Sequence, residues 1–258
     1  MLDLEKTLEF AVDVAKSAGA IQKSRYEDAT VTVEHKGLLD LVTEVDIECE
    51  KLVTESIAEK YGDHGILAEE GTALENSSDY LWIVDPLDGT TNFAHGFPMF
   101  CVSIALVKKG KPLIGVAYDA LRDELFTAVA GGGAFLNGRR IKVSDVKDMD
   151  NALLATGFPY DLRTNSDNNL NHFNRVVVNC QAIRRAGSAV IDLCYTACGR
   201  FDGFWEKSLF AWDMAAGALI VEEAGGIVTD MSGNPLDLYG KTIAAANRNI
   251  HPALLKLL

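Results

Sequence analysis

The chain has 258 residues, 48% of them hydrophobic and 24% charged, which is the balance of a folded globular protein and excludes a disordered one. The 37 acidic residues outnumber the 24 basic ones and give a formal net charge of -13, so we expect no nucleic-acid partner, because such binding needs a basic face. No apolar run reaches the ~20 residues of a membrane helix, no signal peptide is recognisable, and the five cysteines form no C-x-x-C pair, so we expect a cytoplasmic protein without a membrane partner.

The first half of the chain predicts two helices and then a set of strands. Apolar residues recur at helical spacing from Leu4 to Ala18. A second helix is predicted to begin at Thr43, with Asp46 three residues on as in a capping box, and to end at Tyr61. The strands predicted for this half are residues 30–33, 65–68 and 81–84 and a meander from 100 to 135.

The second half alternates between strand and helix patterns. The predicted strands are residues 152–156, 182–184, 201–205, 227–229 and 242–245, and the predicted helices are 168–178, 188–198, 212–224 and one opened by Pro252. Such alternation indicates a layered α/β arrangement. Charge rises between residues 141 and 150, so we expect a single domain over 1–258 with subdomains of roughly 1–145 and 146–258.

The most informative segment follows the predicted strand 81–84, where Asp85 and Asp88 flank a stiff Pro86-Leu87 turn. The two carboxylates can therefore face one point, and Gly89 would let the backbone approach a ligand closely. A helix that begins at residue 90 or 91 would offer its free N–H groups to a phosphate. The alternative is an exposed turn, but the run before Asp85 is too apolar for that.

Further acidic residues stand at the ends of other predicted elements. Glu69 and Glu70 follow the strand 65–68, and Asp213 lies at the start of an apolar helix, where it would also suit a helix cap. Oxygen ligands without a thiolate or histidine set favour Mg²⁺ or Mn²⁺ over zinc, and the alternative is calcium in a purely structural site. Because the chain is acidic, a phosphate substrate would need such cations to bind.

Several motifs in this order resemble the inositol monophosphatase family. They are LVTEVD at 41–46, AEE at 68–70, DPLDGTTN at 85–92, and WDMAAG at 212–217 running on to EAGG at 223–226. Together they span almost the whole chain, so the ordered set is far more specific than any single motif. The resemblance implies an α-β-α-β-α sandwich of the inositol monophosphatase and sugar phosphatase type, most often a homodimer.

The resemblance also implies roles for individual residues, each matched to this sequence. The implied metal ligands are the side chains of Glu69, Asp85, Asp88 and Asp213 and the carbonyl of Leu87. They would hold two or three Mg²⁺, for which Mn²⁺ could substitute, and Li⁺ would inhibit.

The remaining implied roles concern the reaction and the substrate. Thr90 and Asp46 match the pair that helps to activate the attacking water, with Glu69 as a further catalytic residue. The residues that would contact the substrate are Gly89, Thr90, Ala189, Glu206 and Asp213. Lys36 matches a lysine on a mobile loop over the metals.

These implications predict a Mg²⁺-dependent phosphomonoester hydrolase that releases myo-inositol from inositol monophosphate with metal-activated water. The substrate alternatives are those of sister phosphatases with the same fold, which act on fructose 1,6-bisphosphate, 3′-phosphoadenosine phosphate, histidinol phosphate or NADP. Among these, the rim residues Glu206, Ala189 and Arg163 would discriminate. A second alternative is a non-enzymatic regulator that binds metal or phosphate. Phosphatases with a D-x-D nucleophile are disfavoured, because Asp85 and Asp88 stand one residue too far apart.

Overall fold

A computed structural model describes residues 2–28, 30–37 and 40–258 of the chain. The helices in these residues are α1 (Leu4–Arg25), α2 (Glu44–Lys60), α3 (Thr90–Ala94), α4 (Leu170–Val177), α5 (Ala189–Ala197), α6 (Ala211–Glu223) and α7 (His251–Leu255), with a 3₁₀ turn at Met149–Asn151. The strands of the first half are β1 (Val33–His35), β2 (Leu41–Thr43), β3 (Gly65–Ala68), β4 (Ala73–Leu74), β5 (Tyr80–Asp88), β6 (Cys101–Lys108), β7 (Lys111–Asp119), β8 (Glu124–Val129), β9 (Gly133–Leu136) and β10 (Arg139–Arg140). The strands of the second half are β11 (Leu153–Thr156), β12 (Ala182–Arg184), β13 (Gly203–Lys207), β14 (Ile227–Thr229) and β15 (Thr242–Ala246).

Helices and sheets alternate in five layers. An eight-stranded sheet has the order β10-β9-β8-β7-β6-β5-β3-β4, and a five-stranded sheet has the order β12-β11-β13-β15-β14. Helices α1 and α2 pack on the outer face of the larger sheet, α5 and α6 lie between the two sheets, and α4 and α7 cover the smaller sheet. This arrangement confirms the predicted mixed α/β class and the α-β-α-β-α sandwich.

Strand β5 shows why the run before Asp85 is apolar. Trp82 and Val84 pack in the cluster under α1 and α2, whereas Ile83 packs in the cluster that contains α5 and α6. A strand that is covered on both faces needs apolar side chains in both directions. The strand therefore carries its acidic end into the interior of the molecule.

Helix α6 lies between the two sheets and is buried continuously from Met214 to Val221, so its contacts require small residues. A Cβ on Gly115 of β7 would lie 2.7 Å from the carbonyl oxygen of Ala216 in α6. The glycine thus allows the helix to lie directly on the sheet at Ala216, three residues after Asp213.

Two sequence predictions about strands are wrong in detail. The strand predicted at 30–33 lies at Val33–His35, because the pairing with β2 runs from Val33 opposite Thr43 to His35 opposite Leu41. Strand β5 does not stop before Asp85 but continues to Asp88, since β6 runs alongside it as far as Cys101.

The division into two subdomains stays a prediction. In the part of the chain that the structure describes, no helix combines the length and apolarity needed to cross a membrane.

Candidate active site

The last residues of β5 form a β-bulge that directs two carboxylates to one place. Asp85 pairs with Ser103 and Asp88 with Cys101, so Pro86 and Leu87 together stand opposite a single residue of β6. Such a bulge turns the strand locally and re-aims its side chains. The Leu87 amide donates a hydrogen bond to Asp85 Oδ1 at 3.0 Å, which fixes the first carboxylate within the bulge.

A third carboxylate reaches the same point from the first turn of α6. One oxygen atom from each of Asp85, Asp88 and Asp213 lies within 4.8 Å of the other two. The Phe210 amide donates to Asp213 Oδ2 at 2.7 Å, so Asp213 also closes the N-terminus of its helix. The sequence left a cap and a ligand as alternatives for Asp213, and its position allows both.

Helix α5 holds the Asp88 carboxylate at its N-terminus. The Ser188 hydroxyl and the Val190 amide both donate to Asp88 Oδ2, the latter at 2.8 Å. Ser188 also accepts a hydrogen bond from the Ile191 amide, as expected for an N-cap. The sequence predicted the cap but not the contact with Asp88, which joins segments far apart in the chain.

Glu69 lies beside these three aspartates and forms an ion pair with Lys36. Repulsion by the Glu69 carboxylate contributes to the raised pKa of Asp85, so the two carboxyl groups lie close together. Lys36 Nζ lies 3.3 Å from Glu69 Oε1 and 2.6 Å from Glu70 Oε1. Glu50 of α2 holds the following turn by accepting from the Glu70 and Thr72 amides. The predicted loop lysine therefore contacts two acids at the edge of the site.

Burial and mutual repulsion oppose the ionisation of the clustered acids. Burial, with repulsion by Glu69, Asp88 and Asp213, raises the pKa of Asp85 well above its ordinary value, and burial beside Asp88 does the same to the pKa of Asp213. Burial raises the pKa of Asp88 to about 6 despite its hydrogen bond from Ser188. Burial also raises the pKa of Glu69 to about 7, although the charge of Lys36 opposes this.

These observations test whether the site suits a divalent cation. The donors are carboxylate oxygens, they converge, and their negative charge is destabilised unless positive charge is supplied. Hard oxygen ligands of this kind suit Mg²⁺ and Mn²⁺. The residues therefore fit a divalent metal, which Asp85, Asp88 and Asp213 are placed to hold, with Glu69 adjacent.

A hydroxyl–carboxylate pair lies next to the bulge. The Thr90 hydroxyl donates to Asp46 Oδ1 at 2.8 Å and also lies 3.1 Å from the Leu87 carbonyl oxygen. Asp46 is fully buried, and its Oδ2 accepts from the amide and the hydroxyl of Thr43, which form the predicted capping box of α2. Because Asp46 takes the Thr90 hydrogen, the lone pairs of Thr90 Oγ1 are left to accept a hydrogen bond from water.

Gly89 joins the bulge to the short helix α3, which begins at Thr90 as the sequence predicted. Its φ of 103° lies in the left-handed region, and a Cβ there would lie 2.8 Å from the Met99 carbonyl oxygen. Only glycine fits this position without strain. Gly89 and Thr90 both line a cavity, and the predicted contact of their amides with phosphate stays a prediction.

The acids form the floor of a cavity of about 300 Å³. Its other walls come from the turn after β11, the turn before α5, and the end of β13. The residues that line these walls include Gly157, Tyr160, Arg185, Ala189, Glu206 and Trp212. The volume suits one small phosphorylated molecule.

Glu206, near the end of β13, lines the same cavity, and its predicted contact with the substrate stays a prediction. A Cβ on Gly157 would lie 2.0 Å from Glu206 Oε1, so the carboxyl group occupies space that only a glycine leaves free. Burial raises the pKa of Glu206 to about 8, while the charge of Arg185 opposes this. At neutral pH the carboxyl is therefore mostly protonated and can both donate and accept hydrogen bonds.

The rim differs from the prediction at one arginine. Arg163 lies in an exposed turn and is absent from the described residues that line the cavity, so its discriminating role stays a prediction. Arg185 lines the cavity instead, in the turn between β12 and α5. The sequence offered one signal for it, namely its position just before the Ser188 helix cap.

Replacement of Asp88, one of the acids in the cavity floor, by a neutral residue should stabilise the metal-free protein by an amount that depends on pH. Unfolded Asp88 ionises near its ordinary pKa of 3.8, but folded Asp88 ionises only near pH 6. The folded state therefore binds more protons between these values, and this carboxyl lowers the unfolding free energy as the pH rises. At about 1.4 kcal/mol for each pH unit by which a pKa moves, ionised Asp88 disfavours folding by about 3 kcal/mol above pH 7.

We expect Asp88→Asn to match the wild type in unfolding free energy near pH 4 and to exceed it by about 3 kcal/mol near pH 8, measured by urea unfolding with a chelator present. Burial lowers the pKa values of His64, His172 and His251, so these histidines raise the unfolding free energy as the pH rises. Their contribution is the same in both proteins and cancels in the difference. A difference that stays constant from pH 4 to 8 would refute the electrostatic account of the cluster.

The chain is similar over nearly its whole length to known proteins. The family model described as "Inositol monophosphatase family" matches residues 3–258. A Pseudomonas aeruginosa relative named "Nus factor SuhB" is 46% identical over 258 residues, which cover 98% of this chain and 95% of the relative. The inositol-1-monophosphatase of Synechocystis sp. is 45% identical over 257 residues, which cover 99% of this chain and 90% of that protein. The solved structure of inositol monophosphatase from Anabaena superposes with a TM-score of 0.90 at 42% identity, with 99% and 96% of the two chains covered.

Proposed function

The chain belongs to the inositol monophosphatase family of metal-dependent phosphatases, and we propose that it hydrolyses inositol monophosphate to myo-inositol and phosphate with Mg²⁺ as its metal. Membership confirms the resemblance that the motifs predicted. The observation that carries the proposal is the convergence of Asp85, Asp88 and Asp213 in the floor of a cavity of the right size.

Asp85, Asp88 and Asp213, with Glu69 and the Leu87 carbonyl, are the proposed holders of two or three Mg²⁺, for which Mn²⁺ would substitute. Bound divalent cations supply the positive charge that attracts a phosphate dianion and lowers the pKa of water. The short distances between carboxylate oxygens support the three aspartates most directly, whereas Glu69 supports the proposal because it lines the same cavity.

The remaining steps depend on the chain's own groups. Thr90, whose hydrogen is held by Asp46, accepts a hydrogen bond from the attacking water and orients it. The amides of Gly89 and Thr90 bind the phosphate oxygens. No protein nucleophile is required, so a phospho-aspartate on Asp85 is not expected to form.

Glu206 and Ala189 support a polyol as the leaving group. A mostly neutral Glu206 carboxyl in the cavity wall can donate to one ring hydroxyl and accept from another. Ala189, beside Ser188, gives that wall a small apolar surface that leaves room for the ring. Asp213, the third proposed substrate contact here, lines the same cavity.

A phosphate-release screen with Mg²⁺ tests the proposal. The substrates are inositol monophosphates, fructose 1,6-bisphosphate, 3′-phosphoadenosine phosphate, histidinol phosphate and NADP. We expect the highest kcat/KM for an inositol monophosphate. A preference of about tenfold or more for another substrate would identify a sister activity and contradict the inositol assignment.

Substitution of Gly157 by alanine should alter substrate preference. The new Cβ would displace the Glu206 carboxyl. We expect KM for inositol monophosphate to rise about tenfold, because the substrate would lose the binding free energy of one or two neutral hydrogen bonds. Hydrolysis of p-nitrophenyl phosphate, which offers no ring hydroxyls, should change little, and Glu206→Ala should show the same pattern. An equal loss on both substrates would argue against a substrate-selecting role for this wall.

The name of the Pseudomonas aeruginosa relative supports a second candidate, a role as a Nus factor, because that relative is as similar as the Synechocystis enzyme. A role as a Nus factor would not require the protein to hydrolyse a phosphate ester. Metal binding without hydrolysis of any phosphomonoester in the screen would favour it over the phosphatase.

We further propose a cytoplasmic homodimer that Li⁺ inhibits and that has no nucleic-acid or membrane partner. The net charge of -13 supports the absence of a nucleic-acid partner. Sedimentation analysis tests the dimer, and a Li⁺ titration of the Mg²⁺-dependent activity tests the inhibition.

A further inference from the structure

The bulge in β5 leaves one backbone group without its usual partner. Pro86 and Leu87 stand opposite one residue of β6, so the register gives the Pro86 carbonyl no strand partner in that ladder. A buried carbonyl needs a donor. The donor comes from α1: Gln22 Nε2 lies 2.8 Å from the Pro86 carbonyl oxygen.

Gln22 is an unusual residue for its place. Its side chain is fully buried, on the face of α1 that also carries Ala15 and Ala18. Only the NH₂ end of the amide can satisfy a carbonyl, so this contact fixes the orientation of the group. Its other end, Oε1, has no hydrogen-bond partner among the described residues.

An acceptor buried without a partner lowers stability, and a methionine or leucine at this position would avoid that loss. The stabilising contact that remains is the one with Pro86, which lies between two of the converging aspartates. We propose that Gln22 is a positioning residue for the metal centre: it holds the Pro86 carbonyl and thereby the bulge that aims Asp85 and Asp88 at one point. The proposal rests on the proposed metal-dependent function.

The test compares Mg²⁺ binding by calorimetry in full-length variants. Gln22→Met keeps the length of the side chain but cannot donate, and we expect its Kd for Mg²⁺ to rise about 10- to 100-fold, as for other groups that orient metal ligands. Val14→Ala is the matched control: it weakens the packing of the same helix eight residues before Gln22 and removes no hydrogen bond, and its Kd should equal that of the wild type.

Gln22→Glu provides the rescue. Burial keeps a carboxyl at this position protonated, so its O–H can donate to Pro86, and the Kd should lie closer to the wild type than that of Gln22→Met. If Gln22→Met binds Mg²⁺ as the wild type does, or if Val14→Ala weakens binding as much at equal loss of stability, the inference is overturned. A wild type that binds Mg²⁺ but hydrolyses no phosphate ester would overturn the proposed function alone.

Discussion

Asp85→Asn is expected to lower kcat/KM by about 10³-fold or more, because a preorganised charge at the reacting centre is lost. The same substitution should raise the unfolding free energy of the metal-free protein near pH 8. Asp85 is buried between three acids that raise its pKa, so its charge destabilises the fold until a cation compensates it. The two effects have opposite signs, which separates a functional residue from a structural one.

Asp119→Asn is the matched control for this prediction. Asp119 is equally buried, but its carboxylate accepts from Arg122 at 2.7 Å and from two backbone amides. Its replacement should lower stability by about 1–3 kcal/mol and leave kcat within about threefold of the wild type. Steady-state kinetics and urea unfolding with a chelator measure both quantities. The site assignment fails if Asp85→Asn retains activity, or if it destabilises the metal-free protein as Asp119→Asn does.

Thr90→Val is expected to lower kcat by about 10²-fold or more while KM stays within about threefold. Valine fills the same volume but removes the hydroxyl that Asp46 holds at 2.8 Å. The loss should therefore fall on the orientation of water and not on substrate binding.

Thr90→Ser keeps the hydroxyl and serves as the control, with activity close to the wild type. Equal activity of the valine and serine variants would show that the hydroxyl takes no part in the reaction. A parallel loss of Mg²⁺ affinity in Thr90→Val would instead assign Thr90 to support of the Leu87 carbonyl, which lies 3.1 Å away.

The sequence predicted the parts of the fold that local pattern controls. The apolar run before Asp85, the capping box of Thr43 and Asp46, and the Ser188 cap each follow from the residue types at short spacing. The β-rich residues at 30–33 predict a strand there, but the strand lies at Val33–His35, because pairing with β2 decides which residues form it.

The parts that escaped prediction depend on contacts between distant segments. The bulge requires knowledge of the β6 register, and the hydrogen bond from Gln22 to Pro86 joins residues separated by 64 positions. Arg185 and Arg163 have the same chemistry, and only the course of the chain after β12 places one of them in the cavity. Local pattern contains no information about any of these.

The convergence of Asp85, Asp88 and Asp213 was expected from the motifs but could not be measured without a structure. The most direct test is an anomalous-difference map from crystals soaked in Mn²⁺. Our account predicts a strong peak at about 2 Å from oxygen atoms of all three carboxylates. If Mn²⁺ supports hydrolysis by the protein in solution but the map shows no peak at this position, the account is contradicted.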